Sequence, residues 1–172
     1  VGRVTIGKKK YESVEAEAKE IIAKSEALRQ RLTQAIKDDA AAFDQLMAAF
    51  RLPKESDNEK VARLQAIHTA SIHAAHAPLD TARMALEVLG LADRIAQIGN
   101  LNAITDAGTA GALSHAAISA AGANVRINLI GMKDDEQADD MLEEVEKIEA
   151  TTVEKYADLK SRLKERAEIA LL

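Results

Sequence analysis

Two aspartates stand where a carboxylate needs a reason. Asp39 falls on the apolar stripe of a long helical segment, with Leu32 and Ala35 before it and Phe43 and Leu46 after it on the same face. Removing a carboxylate from water is costly unless it is paired or protonated. Asp39 therefore reads as an acid–base or cation-stabilising group in a partly buried pocket, as one half of a buried ion pair, or as a residue that swings to the helix edge beside Asp38. Asp106 opens a segment of small residues, Ala107, Gly108, Ala110, Gly111 and Ala112. An acid is favoured there by the unpaired N–H groups and dipole of a first helical turn. The missing side-chain bulk suits either a ligand or close helix packing.

Other polar groups are grouped too. Gly7-Lys8-Lys9-Lys10-Tyr11 puts three ammonium groups together in an otherwise acidic chain. The cluster can hold an anionic substrate tail or be a solvated charge run. Asn100 and Asn102 donate and accept hydrogen bonds from a loop, which fits a polar heterocycle and fits turn capping equally. His73 and His76 share a helical face, but no third ligand completes a zinc site, so they are expected to be ordinary helix histidines and no metal is expected. No phosphate-binding loop, dinucleotide fingerprint or nucleophile elbow occurs.

Long helices must position these groups. Between Ser13 and Phe50 there is neither Pro nor Gly, and Val14, Ala18, Ile21, Ser25, Leu28, Leu32, Ala35, Asp39, Phe43, Leu46 and Phe50 follow helical spacing. Arg51-Leu52-Pro53 ends that helix. Ser56 or Asp57 caps a second, expected to reach about Ala75. Pro78 fits the first turn of a third, with Leu79, Ala82, Leu86, Leu89 and Ala96 inward and Gly99 closing it. A small-residue helix is predicted from about Thr105 to Asn128, and a last one from about Asp134 to Leu171. The expectation is one all-α domain over 1–172, an antiparallel bundle of about five helices, two of them very long.

Length bears on assembly. At 1.5 Å per residue the first helix spans roughly 57 Å, whereas a compact monomer of this size has a diameter of roughly 40 Å. An apolar stripe that overshoots its own domain needs a second chain, so an intertwined homodimer is expected; a kink near Ala40 is the monomeric alternative.

Composition excludes several classes. The 172 residues carry a formal net charge of −5 and only 2% aromatics, which argues against nucleic-acid binding. The absence of Cys removes disulfides, thiolate metal sites and a cysteine nucleophile. No apolar run approaches a membrane span and the first residues do not read as a signal peptide, so a cytoplasmic location is expected.

Five stretches taken in order resemble one family: GKKKY (7–11), DDAAAFDQLMAAFRLPK (38–54), APLDTA (77–82), GNLNAITDAG (99–108) and GANVRIN (122–128). They are similar to the cyclodeaminase domain of formiminotransferase-cyclodeaminase and to the stand-alone bacterial methenyltetrahydrofolate cyclohydrolases. The resemblance extends from about Ile6 to Asn128 and implies a helical, intertwined homodimer. It departs from the family at one place: the P-x-P-G-G-G-S type of stretch found upstream of GKKKY, expected to contact folate, does not occur between Val1 and Ile6.

The resemblance implies Asp39 and Asp106 as acid–base and electrostatic groups, Lys9 and Lys10 on the glutamate tail of folate, and Asn100 and Asn102 on the pterin or the one-carbon bridge. Asn124 is a further implied binding residue. It lies about 27 Å along an unbroken helix from Asp106, so the two share a site only across a subunit boundary or through a bend at Gly122. Tetrahydrofolate derivatives are the implied substrates, with no cofactor. Hydrolysis of 5,10-methenyltetrahydrofolate is expected first, because the chain has no room for a formiminotransferase domain. Formiminotetrahydrofolate cyclodeamination is the alternative. A non-enzymatic helical scaffold is the third reading; it requires Asp39 in a plain ion pair and no cavity beside Asp106.

Overall fold

The structure is a computed structural model that describes residues 1–132 and 134–171. Its described residues are helical without a strand: a short α1 (Gly2–Thr5), α2 (Glu15–Phe50), α3 (Asp57–Ile98), α4 (Ile104–Asn128) and α5 (Glu136–Ala167). Short 3-10 turns over Lys9–Val14 and Leu101–Ala103 lead into α2 and α4.

The expected second and third helices are one. Helix α3 runs 42 residues with Pro78 inside it, so the break predicted between Ala75 and Pro78 does not occur. Proline lacks an N–H, and the Ala74 carbonyl four residues earlier loses its helical donor. The Asn128 side chain at the end of α4 replaces it, donating from Nδ2 to the Ala74 oxygen at 3.2 Å. The longest helix is therefore α3, followed by α2 with 36 residues and α5 with 32.

Helix α3 is the spine. Ser56 caps it reciprocally: its Oγ accepts from the Glu59 N–H, and Glu59 Oε2 accepts from the Ser56 N–H at 2.8 Å. Helix α2 runs antiparallel to it, as the contacts Glu17–Arg94 near one end and Phe50–Arg63 at the other fix. Helix α4 returns antiparallel to α3, and α5 runs parallel to α3, from His68–Asp135 to Arg162–Asp93. Arg166 of α5 donates to the Ala96 and Gly99 carbonyls, which helix geometry leaves without partners at the end of α3.

One apolar core lies between α3, α4 and α5, with Leu79, Ile118, Val125, Met141 and Val145 buried. A second joins α2 through Ala18 and Ile21 to Leu89, Ile104, Leu159 and Leu163. The small residues of α4 make close approach possible. A Cβ on Gly111 would run into the Leu159 side chain of α5, and one on Gly108 would lie 2.9 Å from Leu163 Cδ1. These two glycines serve helix packing, not ligand space.

The opposite faces are uncovered. Ile36 and Phe43 of α2 are 72% and 57% exposed, and Leu113 and Ile127 of α4 are 67% and 60% exposed. These four large apolar side chains stand open to water on two helices of the single chain. No helix among the described residues is long and apolar enough to cross a membrane.

Replacing Asn128 by Ala should cost about 1–3 kcal/mol in urea unfolding, because it orphans the Ala74 carbonyl. In a Pro78→Ala background the same change should cost clearly less, since residue 78 then supplies the N–H. Equal costs in both backgrounds would show that this bond does not hold the helix together.

Candidate functional site

The predicted site residues fall into two groups. The first gathers where α1, the end of α3 and the start of α4 meet. Gly7 adopts a φ of +72°, which a glycine tolerates best, and its N–H donates to Glu15 Oε2 at 3.0 Å. The chain then presents exposed Lys9 and Lys10, and Lys10 Nζ lies 5.6 Å from the Tyr11 ring centre. The Tyr11 hydroxyl accepts from the Leu101 N–H at 3.2 Å, tying the lysine turn to the asparagine loop.

Asn100 completes that clasp. It is buried, its Nδ2 donates to the Val4 carbonyl at 2.9 Å, and its Oδ1 accepts from the Asn102 N–H at 3.1 Å. Its own N–H donates to Thr5 Oγ1 at 2.9 Å. The amide is committed to backbone, so the turn-capping alternative describes Asn100 in this structure. Asn102 stays exposed beside it.

Asp106 sits in the first turn of α4 and lines a cavity of about 380 Å³ with Arg3, Glu26 and Arg29, walled by Ile21, Ile22, Val88 and Ile95. Arg29 donates from Nε to Glu26 Oε1 at 2.9 Å. That hydrogen bond holds Glu26 below the usual carboxylate range and raises Arg29. Glu26 is thus a paired anion. Among the described residues Asp106 has no ion-pair partner, which leaves it the free carboxylate of the cavity. Sequence reasoning missed Arg3, Glu26 and Arg29. Glu26 and Arg29 on α2 read as an ordinary exposed pair, and only the packing of α1, with Arg3, and of α4 beside them makes a cavity.

The second group lies farther along the bundle. Asp39 and Asn124 line a cavity of about 480 Å³ together with Pro78 and Thr81. Asp39 is exposed in the chain, not partly buried as its stripe position suggests, because no neighbouring helix covers this part of α2. Among the described residues it forms no ion pair. Thr81 was overlooked although it belongs to the APLDTA stretch; its signal was the proline one turn before it.

Asp39 and Asp106 do not share a cavity within one chain. Helix α4 is continuous from Ile104 to Asn128, with no break at Gly122. Asp106 and Asn124 are therefore held about 27 Å apart by helix rise alone. Both cavities contradict the scaffold reading, which required a plain ion pair at Asp39 and no cavity at Asp106. His76 touches Gln137 and His68 meets Asp135, and among the described residues no three His, Asp or Glu side chains are arranged to hold a metal.

Comparisons with known proteins agree with this architecture. The sequence model of the family described as formiminotransferase-cyclodeaminase matches residues 1–147. The chain is 45% identical over 146 residues to a methenyltetrahydrofolate cyclohydrolase of Methylorubrum extorquens, covering 85% of this chain and 70% of that protein. It is 29% identical over 135 residues to the formimidoyltransferase-cyclodeaminase of Rattus norvegicus, covering 78% of this chain but only 25% of that much longer protein. The crystal structure of a formiminotetrahydrofolate cyclodeaminase from Thermotoga maritima superposes with a TM-score of 0.83 at 32% identity, over 96% of this chain and 78% of that one. With the family model covering most of its length and its helices matching a solved member, the chain belongs to the formiminotransferase-cyclodeaminase family.

Proposed function

We propose that this protein hydrolyses 5,10-methenyltetrahydrofolate to 10-formyltetrahydrofolate. The observation that carries the reading is the 45% identity to a methenyltetrahydrofolate cyclohydrolase over 85% of the chain. The chemistry suits the residues. The methenyl bridge is an amidinium-like cation, which a free carboxylate such as Asp106 stabilises. Asp106 accepts a proton from water as its oxygen bonds to the bridge carbon. The carbon–N5 bond then breaks as N5 takes that proton, the former water oxygen loses its second proton to solvent, and the formyl group stays on N10. No cofactor enters this scheme.

The substrate spans two chains in this proposal. The uncovered face of α4 runs through Asp106, Thr109, Leu113, Ala116, Ala120, Asn124 and Ile127, and Ala116 lies close to midway between Asp106 and Asn124. A two-fold crossing of two α4 helices near Ala116, where side chains are small, sets Asp106 of one copy beside Asn124 and Asp39 of the other. Lys9 and Lys10 then hold the glutamate tail. Asn102 faces the folate, and Asn100 acts through its hold on Asn102. The exposed Ile36, Phe43, Leu113 and Ile127 supply the apolar area for such a homodimer.

A second reading is cyclodeamination, favoured by the solved cyclodeaminase of Thermotoga maritima. In that reaction N10 attacks a formimino carbon and ammonia leaves, which needs a group kept protonated for the departing nitrogen. Given 5,10-methenyltetrahydrofolate, the protein should accelerate loss of the near-ultraviolet methenyl absorbance; given 5-formiminotetrahydrofolate, it should release ammonia slowly or not at all. Fast ammonia release with negligible hydrolysis reverses the order.

Asp106→Asn should lower kcat/KM about a hundredfold or more while circular dichroism keeps its helical signal, since the side chain is nearly isosteric and only the charge is lost. Wild-type kinetics in that variant would remove Asp106 from the mechanism. Sedimentation at micromolar concentration should give a dimer that separates only on unfolding. A folded, active monomer would end the two-chain site.

A further inference from the structure

The cavity around Asp39 has an unusual balance of hydrogen-bonding groups. Asp39 is an acceptor with two oxygens and, among the described residues, no cationic partner. The Thr81 hydroxyl spends its one proton on the Ala77 carbonyl at 3.0 Å, so toward the cavity it has only lone pairs to offer. Asn124 commits one Nδ2 hydrogen to the Ala120 carbonyl at 2.9 Å and offers its Oδ1 as an acceptor. Three side chains on three helices thus form a wall rich in acceptors. The rest of the lining is apolar, with Leu32, Ile36, Pro78 and Ala117 offering flat surface for a ring.

The ligand that satisfies such a wall must bring N–H donors. On the proposed substrate the bridge cannot do so, because N5 and N10 are both fully substituted in the methenyl form. The pterin can. Its N3–H and 2-amino group point the same way, like two arms of a guanidinium, and match the two oxygens of a carboxylate. Resting on the folate reading above, we propose that Asp39 is the residue that recognises the pterin, taking the N3–H and 2-amino edge in a two-pronged hydrogen bond. Thr81 and Asn124 supply further acceptors. Asp39 is then a binding and specificity residue, and the proton-transfer work falls to Asp106. The assignment also accounts for Asn100, whose amide is committed to the backbone and is not free for the ring.

Two measurements test this. Equilibrium dialysis with tetrahydrofolate, which carries the same pterin edge but no one-carbon bridge, isolates recognition from turnover. Asp39→Asn should raise Kd about tenfold or more, as expected for loss of a charge-assisted pair. Thr81→Val should raise it less. A 2-desamino tetrahydrofolate should bind wild type about tenfold more weakly, yet bind Asp39→Asn nearly as well as the parent compound does, because the two changes remove one interaction. In turnover of 5,10-methenyltetrahydrofolate, Asp39→Asn should raise KM with kcat within a few-fold of wild type. Equal tetrahydrofolate affinity in wild type and Asp39→Asn overturns the proposal, as does a collapse of kcat at unchanged KM, which would make Asp39 an acid–base group. Wild-type protein that binds tetrahydrofolate through Asp39 but hydrolyses no methenyl bridge would support the subsite and reject the cyclohydrolase reading instead.

Discussion

Pro78 has no N–H to give, and the Ala74 carbonyl one turn earlier must be satisfied by some other donor. Asn128 provides it from the last turn of α4. That bond satisfies the carbonyl where Pro78 interrupts the ladder, and it ties the end of α4 to the middle of α3. With Asn128 opposite Ala74, Asn124 one turn back falls beside Pro78 and Thr81. Asp106, five turns farther along, is carried to the other end of the bundle, beside α1 and the asparagine loop. The separation of the two cavities follows from this register.

Helix α4 carries small residues on both its inward and its outward face, for different reasons. Toward α5, glycine is required because Leu159 and Leu163 occupy the space a Cβ would take. Toward solvent, Ala116 and Ala120 leave a shallow strip between Leu113 and Ile127. The first face lets α5 pack closely enough for Arg162 and Arg166 to reach α3 and close the end of the bundle. The second remains open in the single chain, next to the equally open stripe of α2. The single chain places its glycines inside its own fold and leaves Ile36, Phe43, Leu113 and Ile127 outward.

The all-α class, the long first helix, the Ser56 cap and the GNLN turn were legible, because each rests on local spacing or on a cap whose partner lies within four residues. The continuity of α3 was not. A proline after Ala75-His76-Ala77 reads as a helix start, and the donor that overrides this reading is 50 residues away at Asn128. Asp39 and Asp106 stood out as carboxylates out of place, and both line cavities. Their exposure could not be read from the stripe, which reports a face and not what covers it. Arg3, Glu26 and Arg29 gave no local signal, since a cavity is made by helices meeting and not by any one helix.

In the proposed assignment Asp106 handles the one-carbon bridge and the wall around Asp39 holds the adjacent pterin, so the two must lie within reach of one folate. Within a chain they are about 27 Å apart, and a continuous helix between them forbids any bend that would shorten the distance. In the proposed dimer, a second copy crossing near the middle of α4 removes the difficulty without moving a helix, because two-fold symmetry exchanges the ends. The same crossing covers the outward apolar strip. The requirement of the chemistry and the requirement of the uncovered surface are then met by one contact, and a substitution that weakens it should disable both sites together.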